Sequence, residues 1–344
     1  MGNTQSSPAE LKLHQLVDKM QVISDEPTHH LMYLEDPMTK KEYLLRDIVV
    51  PNKEDFLATI NRIEQKKLLL ENAQHLLPVV EHSSSSSNHF CSSVSKISVL
   101  CEYPQRTLDD ETCERHLQKR RYNEKELWTI LASCILGMAH LQRNRISHEA
   151  VRSSQIFVEN TGLIKIADPY ISGTVSNWEV MANRGKIGHI YLSPELCAQL
   201  NNGSTDMNRL LSNIDIFKSD VFSLGMVMLE TGLLEYQDDC YASNGNWLEW
   251  EKLTRNFQRF TCLYSEELCK VIGIMLDRDP STRESWMQLE GYVRVMEPEE
   301  KNQSQKLKTA PAENPTPHVT PNLVGNSSML QYTFGSQEFP RPQR

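Results

Sequence analysis

Between Gly2 and Gly137 the chain contains no glycine, although its 344 residues include 14. A loop that cradles phosphates with consecutive backbone N–H groups needs glycine, because a Cβ blocks the close approach and the positive φ angles such a loop requires. No glycine-rich cradle can form in the first third of this chain. Charge narrows the reading further. Lys and Arg total 36 against 45 Asp and Glu, a formal net charge of −9, so nothing draws the chain to a phosphate backbone and nucleic-acid binding is excluded as a main role. The most apolar run, Ile130 to Ala139, is broken by Ser133 and Gly137 and has about half the length of a bilayer crossing. No charged start followed by an apolar run marks a secretory signal. The eight cysteines are scattered without a pair two residues apart, which implies reduced thiols and no zinc site. His29, His30, His82 and His89 form two separated pairs and read as surface residues.

Apolar spacing divides the chain into three parts. Residues 1–27 place Leu13, Leu16, Val17 and Met20 at helical spacing behind Met1-Gly2-Asn3-Thr4-Gln5-Ser6, which fits N-myristoylation at Gly2. One myristoyl chain gives marginal, reversible membrane affinity, and Glu10 and Asp18 offset Lys12 and Lys19, so no basic second signal is present. From 28 to 103 the pattern is strand-rich: His30–Leu34 and Glu42–Val50 flank a turn at Glu35, Asp36 and Pro37. A helix opening at Asn52 or Asp55 and ending near Gln74, a short strand Leu76–Glu81 and a strand Lys96–Tyr103 complete this part, with Ser83–Ser87 predicted as a solvated loop. From 104 to 296 helices dominate. Lys125–Arg143 carries Leu127, Ile130, Leu131, Cys134, Ile135, Met138 and Leu141 on one stripe, and two short strands, Gln155–Val158 and Leu163–Ala167, follow. Ser219–Glu230, closed by Gly232, Ser265–Leu276 and a run with Trp286, Leu289 and Val293 are the later helices. Residues 198 to 217 read as an insertion, and 297–344, with seven of the 16 prolines, as a disordered tail in which Thr316-Pro317 and Thr320-Pro321 suit a proline-directed kinase. The predicted class is α+β and bilobal, a small strand-rich lobe before a large helical one.

Five segments in that order resemble the protein kinases over about residues 28–296. Ile146–Val158, with His148, Glu149, Ala150 and Gln155, resembles a catalytic loop and its following strand. Lys165-Ile166-Ala167-Asp168-Pro169-Tyr170 resembles the metal-binding Asp-Phe-Gly segment, and Tyr191-Leu192-Ser193-Pro194-Glu195 the Ala-Pro-Glu end of an activation segment. Lys218–Gly225 resembles the buried helix that follows, and Asp279-Pro280-Ser281-Thr282-Arg283 the late Asp-Pro-x-x-Arg element. The resemblance implies a Glu195–Arg283 ion pair, an Asp220 that anchors the catalytic-loop backbone, and a fold-supporting His148.

The positions that the resemblance assigns to chemistry are altered. Phosphoryl transfer relies on positioned charges: a base Asp, two metal ligands, a Lys on the phosphates and a glycine loop over them. The base position holds Ala150, which accepts no proton. Gln155 replaces the metal-binding Asn and carries its amide one methylene further out, and Arg46 replaces the strand Lys. Glu64 lies about where the helical partner Glu belongs. Asp168 remains, followed by Pro169 and Tyr170, and as a lone carboxylate it is a weak magnesium ligand. Glu149 replaces an Arg that receives an activation-loop phosphate in many kinases, so the segment is expected to be pinned by Glu149 pairing with Arg184 or Lys186.

These alterations imply a pseudokinase without enzyme activity, a scaffold or allosteric partner with protein partners, no nucleic acid, and a cytoplasmic, peripheral place on the cytosolic membrane face through Gly2. No cofactor is expected, and Mg-ATP binds weakly at most. The alternatives are a weakly active or unconventional Ser/Thr kinase in which Asp168 and Arg46 still hold Mg-ATP, and a switch that binds ATP without using it.

Overall fold

The computed structural model of the protein describes residues 21–296, apart from 27–28, 51, 72, 90–91, 104–105, 173–175, 178–188, 202–213 and 243–246. The terminal helix and Gly2, Arg184 and Lys186, most of the 198–217 insertion and the Pro-rich tail lie outside the described residues.

A five-stranded antiparallel sheet opens the fold. Its strands are β1 (Gln21–Glu26), β2 (His29–Glu35), β3 (Glu42–Val50), β4 (Val79–His89) and β5 (Ser92–Glu102), in spatial order β1-β2-β3-β5-β4. Between β3 and β4 runs α1 (Lys53–Glu71), whose buried residues Ile63, Lys66 and Leu70 recur at the three- and four-residue spacing of one helix face. The helical part follows: α2 (Leu108–Gln118), α3 (Glu124–Arg143), the ribbon β6 (Ile156–Val158) and β7 (Ile164–Ile166), α4 (Pro169–Ser172), α5 (Pro194–Asn201), α6 (Ile216–Leu233), α7 (Trp250–Thr261), α8 (Glu266–Met275) and α9 (Trp286–Met296). A strand-rich sheet before a helical remainder is the α+β bilobal arrangement. The start of α3 has a local cause: Asn123 Oδ1 accepts the Glu126 N–H at 2.9 Å while the Glu126 carboxylate accepts the Asn123 N–H at 2.7 Å, a reciprocal cap that fixes its first turn. α6 forms the centre, buried at every residue from Ser219 to Leu233.

Two sequence expectations are corrected. The serine tract is no loop, because β4 continues through Ser83–Ser87 and pairs antiparallel with β5, Ser84 opposite Ile97 and Ser85 opposite Lys96. A backbone ladder needs only N–H and C=O groups, and β5 offers a second edge once β3 has taken the first. A polar strand suits that outer position. Gly232 does not close its helix either. It lies inside α6 with the Phe260 ring against its Cα, where a Cβ would collide, and the helix ends at Leu234 in the left-handed conformation, φ 58°.

Candidate functional site

Three elements converge on Asp168. β3 supplies Arg46, α1 supplies Arg62 and Lys66, and the Asp168-Pro169-Tyr170 segment opens α4. The Lys66 ammonium bonds the Asp168 carboxylate, with side chains 8% and 0% exposed respectively. The other carboxylate oxygen, Oδ1, accepts the Ile171 N–H at 3.0 Å and so caps α4. Arg46 donates from Nη1 to the Tyr170 carbonyl oxygen, and the Arg62 guanidinium lies 3.8 Å above the centre of the Tyr170 ring. Burial makes the Arg46 guanidinium a weaker base than usual. Its Nε is buried and makes no hydrogen bond among the described residues.

Lys66 is the residue that sequence reasoning missed, and Glu64 is the correction. Glu64 is more than half exposed, 3.8 Å from His82 Nε2 on the outer side of α1. Lys66 falls on the buried stripe with Ile63 and Leu70, three residues from one and four from the other. An ionisable residue on an apolar helix face needs a buried counter-charge, and that signal was present in the sequence.

Beneath Asp168 lies the 146–155 loop. Glu149 has left-handed backbone, φ 64°, which costs energy in any residue with a Cβ. Asp220 of α6 compensates: its Oδ2 accepts the His148 N–H at 2.9 Å and its Oδ1 the Glu149 N–H at 3.0 Å. Burial still pushes the Asp220 carboxyl up to about 7 against those two backbone donors. Asn177 holds the loop from the other side, its N–H on the Glu149 carbonyl at 2.7 Å and its amide on the Val151 carbonyl at 3.0 Å. Ala150 is buried between them. The Glu149 carboxylate accepts the Ser147 hydroxyl at 2.6 Å. His148 Nε2 donates to the Ala167 carbonyl at 2.8 Å and Nδ1 accepts the Ala150 N–H at 3.3 Å, a set that requires the neutral ring. Burial accordingly holds His148 down at about 4. The Gln155 amide donates to the Ser154 carbonyl at 3.3 Å. Further down, Arg283 bonds both oxygens of Glu195, at 2.7 and 3.1 Å.

Glu230 of α6 is fully buried and accepts the Tyr191 hydroxyl at 2.6 Å; burial outweighs that bond and pushes its carboxyl up from 4.5 to about 8. A carboxyl with a raised folded-state pKa is stabilising below its unfolded value and loses that contribution as pH rises to the folded one. The Glu230→Gln variant keeps an acceptor for Tyr191 without the ionisation. Its unfolding free energy relative to wild type should therefore rise steadily between pH 4.5 and about 8, by roughly 4 kcal/mol in all. Urea titrations of both proteins across that range measure it, and a difference independent of pH would mean that Glu230 ionises normally.

The residues at Asp168 can be compared with what nucleotide phosphates and magnesium demand. Phosphates fit: among the described residues Arg46, Arg62 and Lys66 gather near the single carboxylate of Asp168, and Arg46 Nε is a buried donor with no hydrogen bond. A metal fits less well, since both Asp168 oxygens are engaged, and among the described residues no group of three His, Cys, Asp or Glu side chains converges as a metal set. Among the described residues, too, no helix is long and apolar enough to cross a membrane.

A family model described as Protein kinase domain matches residues 62–292. The membrane-associated tyrosine- and threonine-specific cdc2-inhibitory kinase wee-1.3 of Caenorhabditis elegans is 29% identical over 184 residues, 51% of this chain and 24% of that protein. Serine/threonine-protein kinase Nek4 of Mus musculus is 27% identical over 150 residues, 44% of this chain and 17% of its own length. Serine/threonine-protein kinase Nek9 of Xenopus laevis is 24% identical over 249 residues, 69% of this chain and 24% of its own. The chain thus spans about a quarter or less of these relatives. Their names correct the expectation of a non-enzyme drawn from Ala150 and the missing glycines, since the proteins it matches are kinases. The physical reason is that phosphoryl transfer leans on positioned charge, and one base accounts for only about 10² to 10⁴ of the rate. Through a match that covers two thirds of its length, residues 62–292, this chain belongs to the protein kinase domain family.

Proposed function

We propose that this protein is an unconventional, weakly active Ser/Thr protein kinase that binds ATP at Asp168. The observation that carries the reading is the grouping of Arg46 and Lys66, both buried, around a single carboxylate, with Arg46 Nε unbonded among the described residues. Two buried cations against one anion leave an excess of positive charge, and a polyphosphate supplies the missing negative charge. The serine/threonine specificity in the names of Nek4 and Nek9 supports a hydroxyl acceptor on a protein.

Bound ATP supplies the phosphoryl group, and the protein supplies position and charge. Arg46 and Lys66 neutralise phosphate oxygens, and Asp220 and Asn177 hold the 148–151 backbone rigid beneath them. Ala150 provides no base, so turnover is slow. Myristoylation at Gly2 belongs to the same proposal. It places the kinase on the cytosolic face of a membrane, peripherally and reversibly, beside protein substrates as its partners.

The test is the thermal midpoint of the full chain titrated with ATP, followed by transfer of labelled γ-phosphate to a generic Ser/Thr protein substrate. A ligand at 100 times its Kd adds about 2.7 kcal/mol, which a midpoint reports easily. Slow transfer that disappears in Arg46→Met supports the reading. A midpoint unmoved by millimolar ATP overturns it.

A further inference from the structure

We infer that Lys66 takes the place of a divalent cation at Asp168, so that nucleotide binds this chain without magnesium. The inference rests on the nucleotide-binding reading above and specifies the form of the ligand.

Both Asp168 oxygens are committed, Oδ2 to the Lys66 ammonium and Oδ1 to the Ile171 N–H at the start of α4. A magnesium ion holds its oxygen ligands at about 2.0 to 2.1 Å in an octahedron, dehydrates reluctantly and relies on one or two carboxylates with the phosphates. Among the described residues it finds one carboxylate here, already paired with the Lys66 ammonium. Displacing Lys66 would leave an ammonium buried on the inner face of α1, beside Ile63 and Leu70, without its counter-charge. An ammonium has three donors. One bond to Asp168 leaves Lys66 the capacity to bridge that carboxylate to a phosphate oxygen, which is the electrostatic service a metal performs.

The neighbouring charges suit an uncomplexed polyphosphate. Arg46 from β3 and Arg62 from α1 both engage Tyr170, two residues after Asp168. With Lys66 they make three cations to one carboxylate. A triphosphate without metal carries more negative charge than its magnesium complex and gains more from such a set.

The deciding measurement is calorimetric titration of the full-length wild-type protein with ATP, once in EDTA and once in millimolar magnesium chloride. The expected result is a Kd in EDTA within about threefold of that in magnesium. Weakening in EDTA by more than about tenfold overturns the inference and leaves the nucleotide-binding reading standing, whereas no heat in either buffer overturns both. A second arm uses Lys66→Met. It should lose binding in EDTA by more than about tenfold and recover it in magnesium, because Asp168 is then open to the metal. Unchanged binding of Lys66→Met in EDTA would show that Lys66 is not the cation concerned. Should that variant not fold, the wild-type comparison decides alone.

Discussion

Replacing Arg283 with methionine is expected to cost about 3 to 5 kcal/mol of stability, a large part of the roughly 5 to 15 kcal/mol that holds a typical domain folded. Arg283 has no exposed side-chain surface and ties together three parts of the helical half. Two of its nitrogens bond the Glu195 carboxylate at the start of α5, Nη1 also reaches the Lys218 carbonyl of α6 at 2.9 Å, and Nε bonds the Asp277 carbonyl after α8 at 2.9 Å. The guanidinium also lies over the Phe222 ring, 5.0 Å from its centre. Methionine fills much of the volume and supplies no donor. Glu195 is then left charged, mostly buried and without that partner, which is the costly half of breaking such a pair. The double variant Arg283→Met with Glu195→Leu should recover part of the loss, because both charges go together. Urea midpoints of the wild type, both singles and the double measure the coupling, and a single-variant loss under about 1 kcal/mol would show the pair to be energetically idle.

That pair was readable only through the resemblance to the protein kinases, which implies it for the elements Ser193-Pro194-Glu195 and Asp279-Pro280-Ser281-Thr282-Arg283. The α3 stripe was readable for a different reason. Seven apolar residues at helical spacing have only one face to bury, and the cap at Asn123 fixes where that face begins. What escaped is equally physical. Serines at 83–87 carry no apolar alternation, so nothing local indicates a strand, and only the free edge of β5 makes one. Gly232 suggested a helix end from composition, whereas the approach of Phe260 from α7, a contact between distant residues, is what demands a missing side chain there. Glu64 was chosen by counting along a resemblance, and counting fails by two residues where the helix face decides: the exposed side of α1 holds Glu64 and the buried side Lys66. The altered chemistry at Ala150 and Arg46 was legible, but its consequence was not. The sequence shows which groups are missing, and Lys66 on the apolar stripe of α1 signals a buried counter-charge, but only the fold makes Asp168 that counter-charge.

That cation gives the second large effect. Lys66→Met alone should destabilise the protein by about 3 to 5 kcal/mol, since it leaves the buried Asp168 carboxylate without the ammonium that balances its charge. Asp168→Asn retains an acceptor for the Ile171 N–H but removes the charge, and it strands the Lys66 ammonium in turn, at a similar cost. Together the two substitutions remove both charges and keep the cap, so the double variant should be no less stable than either single. A double-mutant cycle should then return an interaction energy of about 3 kcal/mol or more, at or above the upper end for neighbouring residues. Because both partners are buried, raising salt from low to high concentration should change that energy little, unlike an exposed pair such as Arg259–Glu235. Coupling below about 0.5 kcal/mol would mean that α1 is held by its apolar packing, through Ile63, Leu70 and their neighbours, without help from the ion pair. Strong coupling would mean that the position of α1 follows the charge at Asp168, and any anion that draws on Lys66 would then pull on the helix that carries it.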